Sequence, residues 1–338
     1  MRNILEIKDN FSPNKGIKSS LLWGNSNYCK SPKVSIIMPV FNHPDYFRKS
    51  LSSAINQDYA DDYEIIVVDN NDQTDGPNSN QSIVQDFKSF KVLYYKNEKN
   101  IGMLGNWNRG IELARAPFVT YCHDDDMLLP SALSRLMELQ KETGEKAIFS
   151  AFNKMDDRET IFSSNEYFSK RKLGILVSCD CYPYTLFNQF IGSAGFGVGC
   201  LFSKKCLLEI GGYDPEFYPA SDYAMQAHYT FRYGSVFNCI PTFNYRMAEN
   251  ESLTVYDKFA EVDRHFRNCM KKYIGLPNFA LNRIIKANYN ISKIKFSIIW
   301  GKKDALLANK IRLSDKLIMI IVNKLLAFRR YKMNLKLR

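Results

Sequence analysis

The fold is decided by the stretch Val34-Ser35-Ile36-Ile37-Met38-Pro39, a short and nearly continuous apolar run that ends at a proline. Apolar runs of this length are typical of strands that are buried on both faces of a parallel sheet. A second run of the same kind, Tyr63–Asp69, ends in a carboxylate. Between the two, apolar residues recur at helical spacing over residues 45–57, so this part of the chain is predicted to be strand, helix, strand.

The alternation of strand and helix continues along the chain. Further strands are predicted at 90–95 and 118–122, and further helices at 79–87 and 103–114. Such alternation predicts right-handed crossovers and a parallel sheet. The predicted fold class is therefore α/β, with a Rossmann-like, mostly parallel central sheet flanked by helices and a helical C-terminal extension. The chain is predicted to divide into a polar, irregular N-terminal extension, an α/β domain and a basic helical C-terminal region, over residues 1–32, 33–256 and 257–338.

An acidic cluster, His123-Asp124-Asp125-Asp126, follows directly after the predicted strand 118–122. Adjacent carboxylates repel one another and are costly without a counter-charge. Hard oxygen ligands suit Mg²⁺ or Mn²⁺, so the cluster indicates a divalent cation or the diphosphate that such a cation carries. The alternative is a solvated acidic turn. The position at the carboxyl end of a strand favours the ligand site, because open α/β sheets bind their ligands there.

Two other strand ends carry candidate site residues. The turn Pro39–Asn42 follows the first strand, and Asp69 ends the second. The carboxyl ends of parallel strands meet at one edge of a sheet, so these loops are predicted to converge with the acidic cluster. A carboxylate in the position of Asp69 commonly accepts hydrogen bonds from a nucleoside. Its alternative role is that of a helix cap or turn residue.

Several motifs, taken in order, resemble the family-two glycosyltransferases of the GT-A fold. The matching segments are Ile36–Asn42, Ile66–Asn70, Asn100–Gly102 with Asn108 beyond it, and the acidic motif before Pro130. The resemblance covers roughly residues 33–255. It implies a Mn²⁺ or Mg²⁺ site at Asp125 and Asp126. It also implies contacts to the nucleotide-diphosphate donor from Pro39, Val40, Phe41, Asn42, Asp69, Asn108 and Asp124.

The acidic motif departs from the family pattern at its first position. Counting back from Pro130, His123 stands where the family often has the first Asp. Asp125 is the metal ligand most consistent with that register. Asp124 and Asp126 remain available for ribose, metal or helix capping.

Two further departures remove expected groups near the diphosphate and the metal. Trp107 stands where the family often has Arg, and Arg109, the nearest substitute, is predicted to point to a different side of its helix. Near Ala248 the family often has a His that approaches the metal. Its absence leaves coordination to the aspartates, the diphosphate and water, or to Glu249 or Glu251.

The candidate catalytic base is Asp222. It follows Gly211-Gly212-Tyr213-Asp214, which resembles the turn before the family's catalytic acid pair, and Ser221 replaces the first acid of that pair. Displacement at an anomeric carbon needs a base to deprotonate the acceptor hydroxyl. A single base without an obvious nucleophile predicts inversion of configuration. The alternative is that Asp222 caps its helix, and His228 is the nearest competing base.

The net charge of +11 is concentrated at the C-terminal end. Residues 286–338 carry 14 of the 46 Lys and Arg residues but only two of the 35 acidic residues, whereas residues 1–285 have a net charge of −1. Residues 317–330 form an apolar helix flanked by cations, too short to span a bilayer and suited to lying on an anionic one. The alternative is a helix packed on the body with a solvated basic rim. The tail lacks a nucleic-acid recognition motif, so nucleic acid is not a predicted partner.

These observations predict a metal-dependent, inverting glycosyltransferase. The predicted donor is a nucleotide-diphosphate sugar, specifically a UDP-sugar, and the acceptor a lipid-linked glycan in cell-surface polysaccharide biosynthesis. The alternative is a non-catalytic sugar-nucleotide or glycan-binding relative, motivated by His123, Trp107 and Ala248. The N-terminus lacks the apolar core of a signal peptide and the cysteines have no zinc-site spacing. The predicted location is therefore cytoplasmic, peripheral at the inner face of the cell membrane.

Overall fold

The fold was examined in a computed structural model that describes residues 1–72, 79–164, 180–192, 197–247, 252–299 and 310–334. The side chains at 252–254, 256, 257, 299 and 328–334 are not described. The strands are β1 (Ser19–Trp23), β2 (Val34–Val40), β3 (Tyr63–Asp69), β4 (Val92–Asn97), β5 (Phe118–Tyr121), β6 (Met127–Leu128), β7 (Ala147–Met155), β8 (Ile161–Ser164), β9 (Cys181–Pro183), β10 (Leu201–Ser203) and β11 (Val236–Arg246). The helices are α1 (Pro44–Ile55), α2 (Asn80–Phe87), α3 (Met103–Leu113), α4 (Ala132–Thr143), α5 (Leu186–Ile191), α6 (Lys204–Ile210), α7 (Ser221–Tyr233), α8 (Ser252–Met270), α9 (Asn278–Ile299) and α10 (Leu313–Asn334).

The centre of the sheet is parallel, with the strand order β4-β3-β2-β5. Every residue of β2 and β3 is buried, which confirms the prediction from their apolar runs. Helices cover both faces: α1 and α4 pack on one side, and α3, α6 and α7 on the other. The chain passes outward from β2 to β4 and then returns to β5 on the far side of β2. The strand order therefore reverses between β2 and β5, where doubly wound sheets bind ligands.

The second half of the sheet is mixed. β10 lies antiparallel between β5 and β7, and β7 pairs in parallel with β11. The short strand β6, directly after the acidic cluster, pairs antiparallel with β11 through Leu128 opposite Phe243. The acidic loop is thus held between β5 on one side and β11 on the other.

The irregular structure predicted for residues 1–32 is wrong in part. β1 lies antiparallel to β4 at the edge of the sheet, and Ile4 and Leu5 are buried against α7 and α8. The backbone N–H of Asn10 donates to Gly211 O at 3.2 Å. A short edge strand with an exposed face gives little apolar pattern, so the sequence around it reads as polar. The boundary at residue 32 stays a prediction.

The C-terminal helices share a core with the α/β part of the chain. Phe266 of α8, Leu281 of α9 and Val322 of α10 are buried in one cluster with Tyr223 and Ala224 of α7. This confirms the predicted helical extension, while the boundary at residue 256 stays a prediction. Among the helices that the structure describes, none combines the length and the apolar character that crossing a membrane requires.

Candidate active site

The turn after β2 and the acidic loop after β5 meet where the strand order reverses. The backbone N–H of Phe41 donates to Asp124 Oδ2 at 3.0 Å. Pro39 and Val40 are buried in the last part of β2, whereas Phe41 is 46% exposed and Asn42 is exposed. The predicted convergence of these two loops is confirmed. Their predicted contacts to a donor stay a prediction.

The acidic loop has the chemistry of a divalent metal site. His123, Asp125 and Asp126 each offer one ligand atom, and these atoms lie within 4.8 Å of one another. Asp126 Oδ1 accepts from the N–H of Arg246 at 3.0 Å, but its Oδ2 is buried without a hydrogen-bond partner among the described residues. A buried carboxylate oxygen without a partner is costly, and a cation would relieve that cost. The residues present therefore fit a divalent cation.

The electrostatics of the loop agree with such a site. Burial, with the added charge of Asp125, raises the pKa of Asp124 to about 8. The same two causes raise the pKa of Asp126 well above its usual value. A bound cation stabilises the charged form of a carboxylate and so lowers its pKa. The loop thus concentrates carboxylates whose charge is poorly compensated by the protein alone.

Arg246, at the end of β11, positions the acidic loop and was missed as a site residue by sequence reasoning. Its side chain is fully buried, and its Nε donates to the backbone oxygen of Asp125 at 2.8 Å. Its guanidinium also lies 4.4 Å from the ring centre of Tyr46 and 3.5 Å from Glu159 Oε1. The signal in the sequence was an arginine at the end of a long apolar strand. The direction of its side chain, however, is set by tertiary packing.

Asp69 lies at the same sheet edge, but its carboxylate already has several partners. Tyr94 Oη and Asn80 Nδ2 donate to Oδ2 at 2.5 and 3.2 Å, and the Asn71 N–H donates to Oδ1 at 2.7 Å. Lys96 Nζ lies 3.4 Å from Oδ1, and Asp69 is only 2% exposed. These contacts match the alternative role of Asp69 as a turn residue. Nucleoside binding by Asp69 stays a prediction.

Asn108 faces the glycine-rich turn after α6. Its Nδ2 donates to Tyr213 O at 2.9 Å, and its Oδ1 accepts from Tyr213 N at 2.8 Å. Gly212 has φ +72°, and a Cβ there would lie 2.5 Å from Asn108 Oδ1, so this position requires glycine. Asn108 therefore orients the turn that precedes Asp222. Its predicted contact with the donor stays a prediction.

Trp107 and His123, two of the residues that depart from the family pattern, contact each other. Their rings stack with centroids 4.8 Å apart, and Trp107 also packs edge-on against Tyr213 at 5.0 Å. Burial lowers the pKa of His123, which favours the neutral imidazole.

Arg109 points away from the acidic cluster, and the other residues considered for the diphosphate and the metal lie outside the described residues. Arg109 Nη1 donates to Ile17 O at 2.8 Å and its Nη2 to Asn14 O at 2.7 Å. It therefore faces the N-terminal segment rather than the aspartates, as its helical position predicted. Ala248, Glu249 and Glu251 lie outside the described residues.

Asp222 lies in the first turn of α7, as predicted. It is half-buried, and its Oδ1 accepts from the Tyr223 N–H at 2.7 Å. Burial raises the pKa of Asp222 to about 6. Burial raises the pKa of Tyr213, the residue that packs on Trp107, and the charge of Asp222 adds to that rise.

His228, the competing base, is engaged elsewhere. Arg232 Nε donates to His228 Nε2 at 2.9 Å, and the histidine is buried. Burial, reinforced by the positive charge of Arg232, lowers the pKa of His228 to about 4. A nitrogen that already accepts a hydrogen bond from a cation is poorly placed to take a proton from a substrate.

The segment that contains β2, the Asp69 turn and the acidic loop matches a known family. Residues 35–192 match the model of glycosyl transferase family 2. These residues form a glycosyl transferase family 2 domain. Asp222 and Arg246 lie beyond the matched segment.

Part of the chain is similar in sequence to proteins named as glycosyltransferases. The chain is 40% identical over 111 residues to the GalNAc(5)-diNAcBac-PP-undecaprenol beta-1,3-glucosyltransferase of Campylobacter jejuni, covering 33% of this chain and 35% of that protein. It is 30% identical over 122 residues to the poly(ribitol-phosphate) beta-N-acetylglucosaminyltransferase TarP of Staphylococcus aureus, covering 36% of each. The chain thus spans about a third of the length of the curated relatives it matches.

Solved structures show that the fold extends beyond the matched segment. TarS of Staphylococcus aureus, in complex with UDP-GlcNAc, aligns with a TM-score of 0.56 at 17% identity over 86% of this chain and 79% of its own. The mannosyltransferase PcManGT of Pyrobaculum calidifontis, in complex with GDP-Man and Mn²⁺, aligns with a TM-score of 0.50 at 15% identity over 91% and 85%. The family 2 domain has the GT-A fold, as predicted.

Proposed function

We propose that the protein is a metal-dependent, inverting glycosyltransferase that moves a sugar from a nucleotide-diphosphate sugar to a glycan acceptor. The observation that carries this proposal is the acidic loop joined to the Phe41 turn at the reversal of strand order. We propose a UDP-sugar as the donor, supported by the fold shared with TarS, whose structure contains UDP-GlcNAc. Asp124, through its bond to the Phe41 N–H, fixes the turn to which we assign the nucleotide.

Asp125 and Asp126 would hold the cation, which is Mn²⁺ or Mg²⁺. When bound, the cation offsets the negative charge that develops on the leaving diphosphate. Arg246 keeps these ligands in place through the backbone oxygen of Asp125 and the Oδ1 of Asp126. The buried guanidinium also supplies a positive charge beneath the loop without occupying the crevice.

Asp222 is the proposed general base. The acceptor hydroxyl oxygen forms its bond to the anomeric carbon while the bond from that carbon to the diphosphate oxygen breaks. Asp222 takes the hydroxyl proton, and Oδ2 is the receiving oxygen because Oδ1 accepts from the Tyr223 N–H. One displacement of this kind inverts the anomeric configuration.

The pH dependence of transfer follows from the raised pKa of Asp222. At saturating Mn²⁺ and donor, we expect the rate to fall about tenfold per pH unit below pH 6 and to level off above it. The protonated carboxyl cannot accept the hydroxyl proton, so activity is lost as the pH falls through the pKa. Measurement of kcat against pH checks this. A limb near pH 4, the ordinary range of an aspartate, would contradict the assignment.

A donor panel tests the proposed function against its alternative. Purified protein is incubated with Mn²⁺, a glycan acceptor and each of several nucleotide sugars, and released nucleoside diphosphate is measured. Acceptor-dependent release supports the enzyme. The alternative, a non-catalytic sugar-nucleotide or glycan-binding relative, is motivated by the stacked Trp107 and His123 in place of the usual charged groups. Donor binding without release from any donor would favour it.

The proposed acceptor is a lipid-linked glycan in cell-surface polysaccharide biosynthesis. The family 2 domain is similar to an enzyme whose name specifies a PP-undecaprenol-linked substrate. We further propose peripheral contact with the inner, anionic face of the cell membrane through one face of α10. Its exposed apolar residues recur at helical spacing and form one stripe: Leu313, Leu317, Ile320, Ile321 and Leu325. The opposite face, with Val322 and Leu326, is buried against the body.

One face of α10 packs on the body, and the exposed apolar face is the one to which we assign the membrane contact. The exposed cation Lys324 lies within the stripe, and Arg312 precedes it. Long cationic side chains beside an apolar stripe favour binding to anionic lipid headgroups.

Replacing Leu317 and Ile321 by Glu is expected to weaken binding to anionic vesicles by roughly tenfold or more. The variant loses apolar burial and gains repulsion, whereas the exposed positions leave the packed face of α10 intact. Vesicle sedimentation measures this, with transfer to a soluble acceptor as the check on folding. Leu22→Glu, on the edge strand β1 at the far end of the sheet order, is the matched control. Equal sedimentation of the double variant and the wild type would contradict the membrane contact.

A further inference from the structure

The imidazole of His123 stands within the set of atoms assigned to the metal. His123 Nδ1 lies 3.8 Å from Asp126 Oδ2, the buried oxygen without a hydrogen-bond partner. That separation is too long for a hydrogen bond. Two ligand atoms that share one cation, each at about 2.1 Å, lie roughly 3 to 4 Å apart. The gap between the two side chains therefore has the width of a shared cation.

The ring of His123 is held in place from one side. Trp107 stacks on it with an interplanar angle of 27°. Trp107 is itself packed against Tyr121 at 6.2 Å and Tyr213 at 5.0 Å between ring centroids. The tryptophan thus orients the imidazole, which gives the two departures from the family pattern one shared explanation.

We propose that His123 is a direct ligand of the divalent cation, together with Asp125 and Asp126, and that it makes the site select transition-metal ions over Mg²⁺. Mg²⁺ prefers oxygen ligands, whereas imidazole nitrogen suits the first-row transition metals. An aspartate in place of His123 would give an all-oxygen set. This proposal rests on the metal site of the proposed function. It concerns metal binding alone, so it can be tested without donor or acceptor.

The test is electron paramagnetic resonance of Mn²⁺ added to the full chain. Bound Mn²⁺ is quantified from the loss of the free-ion signal, and pulsed measurements detect nitrogen coupling from a directly bound imidazole. We expect nitrogen coupling in the wild type and its loss in His123→Asn. We also expect His123→Asn to weaken Mn²⁺ binding by more than about 100-fold, because loss of a direct ligand should exceed the 10- to 100-fold effect of losing an outer-shell partner.

Competition with Mg²⁺ tests selectivity in the same experiment. In His123→Asp the ratio of Mn²⁺ to Mg²⁺ affinity is expected to fall by about tenfold or more, because the oxygen-only site suits Mg²⁺ better. His43→Asn, an exposed histidine before α1, is the matched control and should change neither quantity. Absence of nitrogen coupling in the Mn²⁺-loaded wild type, or an unchanged affinity ratio in His123→Asp, would overturn the proposal. Neither result would bear on sugar transfer by the wild type, so the proposed function is tested separately, by the donor panel.

Discussion

Asp222→Asn is expected to lower sugar transfer by roughly 10²- to 10⁴-fold while donor and Mn²⁺ binding stay near wild-type values. The amide cannot take the acceptor proton, so the loss falls on the chemical step. The substitution is nearly isosteric, and the amide oxygen can still accept from the Tyr223 N–H, so the first turn of α7 keeps its local bond. Steady-state kinetics with calorimetric donor binding measures both quantities.

His228→Gln is the matched control on the same helix. Glutamine Oε1 can accept from Arg232 Nε in place of His228 Nε2, so the buried contact is kept while the imidazole is lost. This variant is expected to transfer sugar at close to the wild-type rate. Wild-type transfer by Asp222→Asn, or a loss in His228→Gln as large as that expected for Asp222→Asn, would remove Asp222 from the role of base.

Asp125→Ala is expected to reduce transfer by more than about 100-fold and to abolish Mn²⁺-dependent donor binding. Loss of a direct ligand should exceed the 10- to 100-fold effect of losing an outer-shell partner. Arg246 bonds the backbone oxygen of Asp125, which the substitution leaves in place, so the loop should keep its support. Donor binding with and without Mn²⁺, together with a thermal melt, separates metal loss from unfolding.

Asp86→Ala provides the control for this second experiment. Asp86 is an exposed aspartate that pairs with Arg48 between α1 and α2, away from the acidic loop. It should retain both transfer and Mn²⁺-dependent binding. Unchanged Mn²⁺-dependent affinity in Asp125→Ala would move the metal assignment to Asp124 or Asp126.

The parts of the fold that the sequence predicted are those with a local apolar pattern. β2 and β3 are buried along their whole length, so nearly every residue is apolar and the pattern is plain. The meeting of the Phe41 turn with Asp124 was predictable because parallel strands end at one sheet edge. β1 was missed because none of its residues is fully buried, so this edge strand beside β4 has little apolar pattern.

The parts of the site that could not be predicted depend on side-chain direction. Asn108 was assigned to the donor, yet its amide bonds the backbone of Tyr213 across more than a hundred residues of chain. Arg246 bonds the loop that carries Asp125 and Asp126 across a similar separation. A local sequence pattern cannot predict either contact, because each one exists only after the two sheet halves have come together.

The stacking of Trp107 on His123 belongs to the same class of contact. In the sequence the two residues are separate departures that weaken the enzyme reading, because each replaces an expected charged group. In the fold the two rings are in contact beside Asp126, so the pair borders the proposed metal site.

Proton NMR of the reaction mixture shows whether this crevice transfers a sugar in a single displacement. The mixture contains the wild-type chain, Mn²⁺, a UDP-sugar that is accepted in the donor panel, and a soluble glycan acceptor. We expect loss of the donor's anomeric signal and growth of a product signal whose coupling constant shows the opposite configuration. A product that retains the donor's configuration would contradict the single displacement, and a spectrum without any glycosidic product would contradict transfer itself.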